Sequence, residues 1–271
     1  MIATHLALAY RFAIGGDEGG RALLARVLAP LAVDETGTEI RYEDVYRLHV
    51  DGARAVARRG DMPVYEGSIG AATSHLMTTI NTGAIGSMSM YPVVHAAVVA
   101  RAGAAIVIPG NPGAGKSTLC AALVAHGYEY VSDEMALIFD DGRVPVYPKP
   151  IVVGAGSFEV LACLRDADGA GGMLDTWFLD ARRLAGGVSA EAPLLRAVVM
   201  PEYRPGTRVE AAGLSPGEVT ALLASNMFNL RQLGRSALDR VAVLSPRLQG
   251  VRVVHSDAHD AITVIDELRL T

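Results

Sequence analysis

The chain has 271 residues, about half of them apolar and a fifth charged, enough for one large domain or two small ones around a buried core. A net charge of −5 and a pI near 5.8 offer no basic surface for nucleic acid or an anionic membrane. The cysteines, Cys120 and Cys163, are isolated thiols that argue against a disulfide framework or a zinc site, and no apolar run reaches membrane-spanning length. The opening MIATHLALAYRF lacks the basic, apolar and small-residue regions of a signal peptide, so a soluble, cytoplasmic protein is expected.

Residues 4–14 read as a strand and DEGGRALLARVLAP as a short helix ended by Pro30. DVYRLHVDG and ARAVAR alternate like a hairpin turning at Asp51-Gly52. GSIGAATSHLMTTINTGAIG places Leu76, Met77 and Ile80 on one side of a helix. Residues 1–88 thus read as an α+β region that carries no recognisable motif. Two β-rich runs follow, 92–100 and 104–109, with a turn at Arg101-Ala102-Gly103. The second runs straight into GNPGAGKST and the helix KSTLCAALVAHG, which stops at Gly127.

Gly110 to Ser117 fit the phosphate-binding loop pattern G-x-x-x-x-G-K-[ST] between a strand and a helix. Glycines 110, 113 and 115 let the backbone amides of Gly110, Asn111, Pro112, Gly113, Ala114 and Gly115 curve around an anion, apart from Pro112, which has no N–H. Lys116 is placed to reach the β- and γ-phosphates, Ser117 to ligate Mg²⁺, and Thr118 to lie in the helix's first turn. Lysine is rare here: Lys116 and Lys149 are the only two among 24 basic residues, the rest being arginine. An ammonium is a compact charge that suits a phosphate cradle, which makes Lys149 a second candidate phosphate contact.

YVSDE follows one helix and one turn later, and its acids Asp133 and Glu134 interrupt an apolar run. Beside a γ-phosphate, a carboxylate can ligate Mg²⁺ or take the proton of an attacking hydroxyl. Beyond it, two short strands and a turn at Asp141-Gly142 are expected, the last strand in VPVYP. DADGAGGMLD (166–175) reads as a mobile glycine-rich loop, and LLRAVVMPEY and TRVEAAG as strands. LSPGEVTALLASNMFNL and GRSALDRVAVLS read as helices, then VRVVHS as a strand and DAHDAITVIDEL as the last helix. His255, Asp257 and His259 have the look of metal-ligand spacing, but a strand end with Ser256 as helix cap explains them.

The loop, the acids of YVSDE and His95 of VVHAAVV, at a strand end upstream of the loop, resemble the HPr kinase/phosphorylase superfamily, in its shorter HPr-kinase-related serine kinases. The likeness covers roughly residues 90–271 and extends through VYPKP and MPEYRPG. A P-loop by itself points to a parallel doubly wound sheet. The resemblance implies instead a HPr kinase/PEP carboxykinase-like mixed sheet flanked by helices, spanning 89–271, with 1–88 as a small α+β extension. It implies Mg·ATP as cofactor, Asp133 as the catalytic acid–base, Glu134 and Ser117 with it on the metal, and His95 positioning the acid or the γ-phosphate. Arg204 is a further candidate phosphate or substrate contact. The implied acceptor is a serine of a peptide or protein. A small-molecule hydroxyl, or hydrolysis with no acceptor, are the other readings. Glu134 stands where the bifunctional enzymes have Asp, and their glycine-rich signature and regulatory domain are not recognisable, so the reverse reaction is not implied.

Overall fold

A computed structural model describes residues 4–33, 42–88, 90–110, 113–172 and 174–270. In chain order the elements are β1 (Thr4–Ala7), β2 (Tyr10–Gly16), α1 (Glu18–Val27), β3 (Asp44–Asp51), β4 (Arg54–Arg59), β5 (Met62–Ser68) and α2 (Ile69–Ser87). Next come β6 (Val93–Arg101), β7 (Ala104–Pro109), α3 (Lys116–Ala125), β8 (Glu129–Ser132), β9 (Met135–Leu137), β10 (Ile151–Gly154) and β11 (Thr176–Leu179). The last are β12 (Leu194–Tyr203), β13 (Glu210–Leu214), α4 (Pro216–Ser225), α5 (Leu230–Leu233), α6 (Arg235–Leu244), β14 (Gln249–His255) and α7 (Ala258–Asp266). The protein is a mixed α/β chain in two compact units. No helix among the described residues is long and apolar enough to cross a membrane.

The first unit holds residues 1–87 together with 148–158 and 162–180, segments that the sequence reading assigns to 89–271. Its sheet runs β1-β2-β3-β4-β5, with β2 and β3 parallel and the other pairs antiparallel. α1 starts on Asp17, whose carboxylate accepts from the Gly20 amide at 2.8 Å and from the Val50 amide at 2.9 Å, so one side chain caps the helix and ties it to β3. Phe12, Ile14, Tyr46, Leu48, Ala55 and Ala57 alternate inward along their strands and are buried. The glycine-rich segment expected to be mobile is held at its start: Asp168 accepts from the amides of Ala170, Gly172 and Phe178 at 3.1, 2.6 and 2.8 Å. Those donors come from residues downstream of Asp168, which composition alone does not pair.

The second unit holds 88–147, 159–161 and 181–271. Its sheet runs β13-β14-β12-β7-β6-β8, with β9 also on β6. β14, β12 and β7 are parallel, whereas β6, β8, β9 and β13 pair antiparallel. The sheet is therefore mixed, not the uniformly parallel one that a phosphate loop by itself leads one to expect. The strand expected at 144–148 does not form. Val144 donates to Pro193 O, Pro145 has no N–H and Tyr147 donates to Val131 O, so no ladder develops. Val94, Ala96 and Val98 of β6 pack with Val107, Val198, Val219, Leu223, Ala237 and Val241 into one core on the α4 and α6 side.

Asp266 closes the other side. It accepts from Tyr128 Oη at 2.8 Å and Arg101 Nη1 at 2.7 Å, and its other oxygen lies 2.9 Å from His126 Nε2. Burial works against its ionisation, but these donors outweigh it and hold the carboxyl below its usual range. A carboxyl depressed in the folded state adds stability that is complete above the unfolded value and is lost as pH falls through the folded one. Asp266→Asn is therefore expected to cost about 1 kcal/mol at pH 7, because solvent screens this exposed carboxylate, with the gap to wild type closing below about pH 4 in urea titrations.

Candidate functional site

β7 is buried along its whole length and ends at Pro109, paired with Ala96 of β6. The chain then enters the loop. Asn111 and Pro112 lie outside the described residues. Gly113 and Gly115 have φ of 84° and 80°, the left-handed region that side-chain-bearing residues adopt only at a cost. Gly115 caps α3 without a side chain, and the first turn of α3 carries no acid. A helix N-terminus of this kind can receive an anion. Ala114, Ser117 and Thr118 are half-buried around that opening. Lys116 is only 7% exposed, and its Nζ donates back across the loop to Gly110 O at 2.7 Å. Burial lowers its pKa, while Asp133 and Glu134 pull it up. Both acids are thus within electrostatic reach of the loop lysine.

The acids lie on the neighbouring antiparallel ladder. Ser132 pairs with Val98, and Met135 pairs with His95. Between them the Ser132 hydroxyl accepts from the amides of Glu134 and Met135 at 3.4 and 3.3 Å and bends the chain. Asp133 is 4% exposed. The Glu134 side chain is 31% exposed and the His95 side chain 24%, with His95 Nε2 3.8 Å from Glu134 Oε1.

One contributor was not foreseen. Where β7 leaves β6 at Pro109, residues 226–229 take over its pairing position. His95 N donates to Asn226 O at 2.7 Å, and Phe228 N to Val93 O at 2.8 Å. The Asn229 carboxamide accepts from Val93 N at 3.1 Å and donates to Tyr91 O at 2.8 Å. The helix expected across NMFNL therefore stops at Ser225. The two asparagines of NMFN, which compete for backbone hydrogen bonds and are poor helix formers, are the sequence signal for that break. Phe228 emerges 44% exposed, its ring centroid 5.2 Å from that of His95.

The further candidates, Lys149 and Arg204, each have a partner of their own. Lys149 belongs to the first unit, is buried, and donates to Pro150 O at 3.1 Å. Arg204, just past β12, is engaged by Glu202 at 2.6 Å, and Arg252 binds the same carboxylate at 2.8 Å. At the end of β14 the cap of α7 is Asp257 rather than Ser256: its carboxylate accepts from the His259 amide at 2.8 Å. No group of three or more His, Cys, Asp or Glu side chains is arranged to hold a metal among the described residues. A Mg²⁺ that arrives with a nucleotide needs only one or two carboxylates besides phosphate oxygens and water. Ser117 and the acid pair fit that demand.

No family model and no curated protein matches this chain. Its function is read from the site itself. That site offers backbone amides and an ammonium for an anion, a hydroxyl and carboxylates for a hard cation, and a carboxylate–imidazole pair open to solvent.

Proposed function

We propose that the protein is an ATP- and Mg²⁺-dependent kinase with an HPr kinase/PEP carboxykinase-like catalytic unit, transferring the γ-phosphoryl group to a hydroxyl, foremost a serine of a peptide or protein. The observation that carries this reading is the meeting of Lys116, the acid pair and His95 at one end of the β6–β7 hairpin. The loop amides and Lys116 hold the phosphates and offset the charge that builds on the transferring group. Ser117 and one carboxylate are the groups for the metal, which supplies further neutralisation of the phosphate oxygens. The other carboxylate takes the acceptor's proton, and His95 fixes its orientation. A hydrolase would need a residue to position water and a cation to complete the site. His95 and Glu134, both partly exposed, form a pair that can receive an incoming hydroxyl.

The test is incubation with γ-labelled ATP and Mg²⁺ over a library of serine peptides and a panel of small alcohols. Label is expected on a peptide serine. Label confined to a small alcohol would make this a metabolite kinase. Phosphate release with no labelled acceptor would overturn the kinase reading in favour of an ATPase.

A further inference from the structure

The two carboxylates of the site differ in environment, and the difference assigns them different work. Val94, Ala96 and Val98 of β6 point into the core on the α4 and α6 side. Strand alternation then turns His95 and Ala97 to the opposite face, where α3 packs on β6. Asp133 and Glu134 form the bend between the pairs Ser132–Val98 and Met135–His95, where Ala96 N donates to Glu134 O at 3.3 Å. Cys120 of α3 donates to Ser132 O at 3.9 Å, so the chain enters Asp133 against α3, and Asp133 is buried there. The bend at Ser132 leaves the Glu134 carboxylate 3.8 Å from the imidazole of His95.

Resting on the kinase reading, we propose that Asp133 holds the nucleotide's metal and that Glu134, oriented by His95, is the group that deprotonates the acceptor. This is the reverse of the division that the family resemblance implies. A proton acceptor must lie within hydrogen-bond reach of a hydroxyl that arrives from solvent. The Glu134 side chain is partly exposed, whereas Asp133 is buried. A short carboxylate fixed at a strand end beside an ammonium suits a cation that stays with the phosphates. In the transfer step the acceptor oxygen bonds to the γ-phosphorus while its proton passes to Glu134. The bond from that phosphorus to the β–γ bridging oxygen breaks, and its electron pair leaves with ADP. His95 is a positioning residue. Its ring is held between Glu134 and Phe228, and the Phe228 backbone is itself fixed to β6.

The metal half of the test needs no knowledge of the acceptor. Mn²⁺ replaces Mg²⁺, and binding of Mn²⁺·ADP is followed by the loss of the free-ion paramagnetic resonance signal. Asp133→Asn is expected to weaken Mn²⁺·ADP at least about tenfold; Asp133→Ser repeats the measurement should the Asn variant fold poorly. Glu134→Gln is expected to leave Mn²⁺·ADP affinity within about twofold, while ADP formation from ATP over a serine-peptide library falls about 10²- to 10⁴-fold. His95→Ala should lower that rate with Mn²⁺·ADP binding intact, and His95→Gln should recover part of it. The proposal is overturned if Glu134→Gln keeps its turnover, or if it loses Mn²⁺·ADP while Asp133→Asn does not. A wild-type chain that binds no Mn²⁺·ADP would remove the kinase reading itself, a separate outcome.

Discussion

Replacing Lys116 with alanine is expected to weaken ATP binding roughly 10- to 100-fold, the worth of one or two hydrogen bonds between a charged donor and phosphate oxygens. The lysine is buried against the loop, and its ammonium already points across the cradle to Gly110 O. A phosphate that enters takes over that donor without a search through rotamers, so little ordering entropy opposes binding. Lys116→Arg is expected to fare little better, because a planar guanidinium does not fit the space of a compact ammonium in a buried position. Titration of a fluorescent ATP analogue at fixed ionic strength measures both. An unchanged dissociation constant for Lys116→Ala would remove the phosphate-loop assignment, and with it the proposed function.

The second large effect falls on folding. Gly186→Ala is expected to destabilise the second unit by about 3 kcal/mol, a cost typical of forcing extra volume into a packed site. A Cβ at this position would sit 1.8 Å from Tyr128 O and 3.0 Å from Val124 O, both backbone atoms that cannot swing aside. Gly186 N donates to Val124 O, and the following residues pair with β8: Tyr130 N donates to Gly187 O and Ser189 N to Tyr130 O, each at 2.9 Å. The substitution therefore pushes on the strand that leads into Asp133, and nucleotide-dependent activity should fall with stability. Gly187→Ala is the internal control. It has open space around it but a φ of 62°, so it should cost only about 1 to 2 kcal/mol. Urea midpoints of the two variants separate close approach from backbone strain.

What was legible in the sequence was local. The β6–β7 hairpin, the loop after it and α3 each carry their signal within a few residues: alternating apolar runs, closely spaced glycines and a helical stretch ending at Gly127. The acids could be paired with the loop because one helix and one turn leave few places for them. The segment 226–229 could not be read this way. Its partners, Tyr91, Val93 and His95, lie more than a hundred residues earlier, and only the folded sheet shows that a pairing position is vacant there. The same holds for the assignment of 148–158 and 162–180 to the first unit. Composition records no partner for a strand such as β10, which pairs with β11 some twenty residues on. The missing strand at 144–148 shows the converse. Its β-forming residues are present, but Pro145 has no N–H to give, and the amides of Val144 and Tyr147 find different acceptors.

The β6–β7 hairpin also bears on how quickly the site assembles. His95 and the start of the phosphate loop are brought side by side by a turn of two residues, Ala102 and Gly103. Closing so short a loop costs little chain entropy and takes microseconds, far less time than docking distant segments. Two of the groups that would face the γ-phosphate thus reach their mutual geometry with the earliest local contacts, before the long-range closure by residues 226–229. Damage to that later segment should leave the phosphate cradle standing while loosening His95, so that nucleotide binding outlasts phosphoryl transfer as the unit is progressively destabilised.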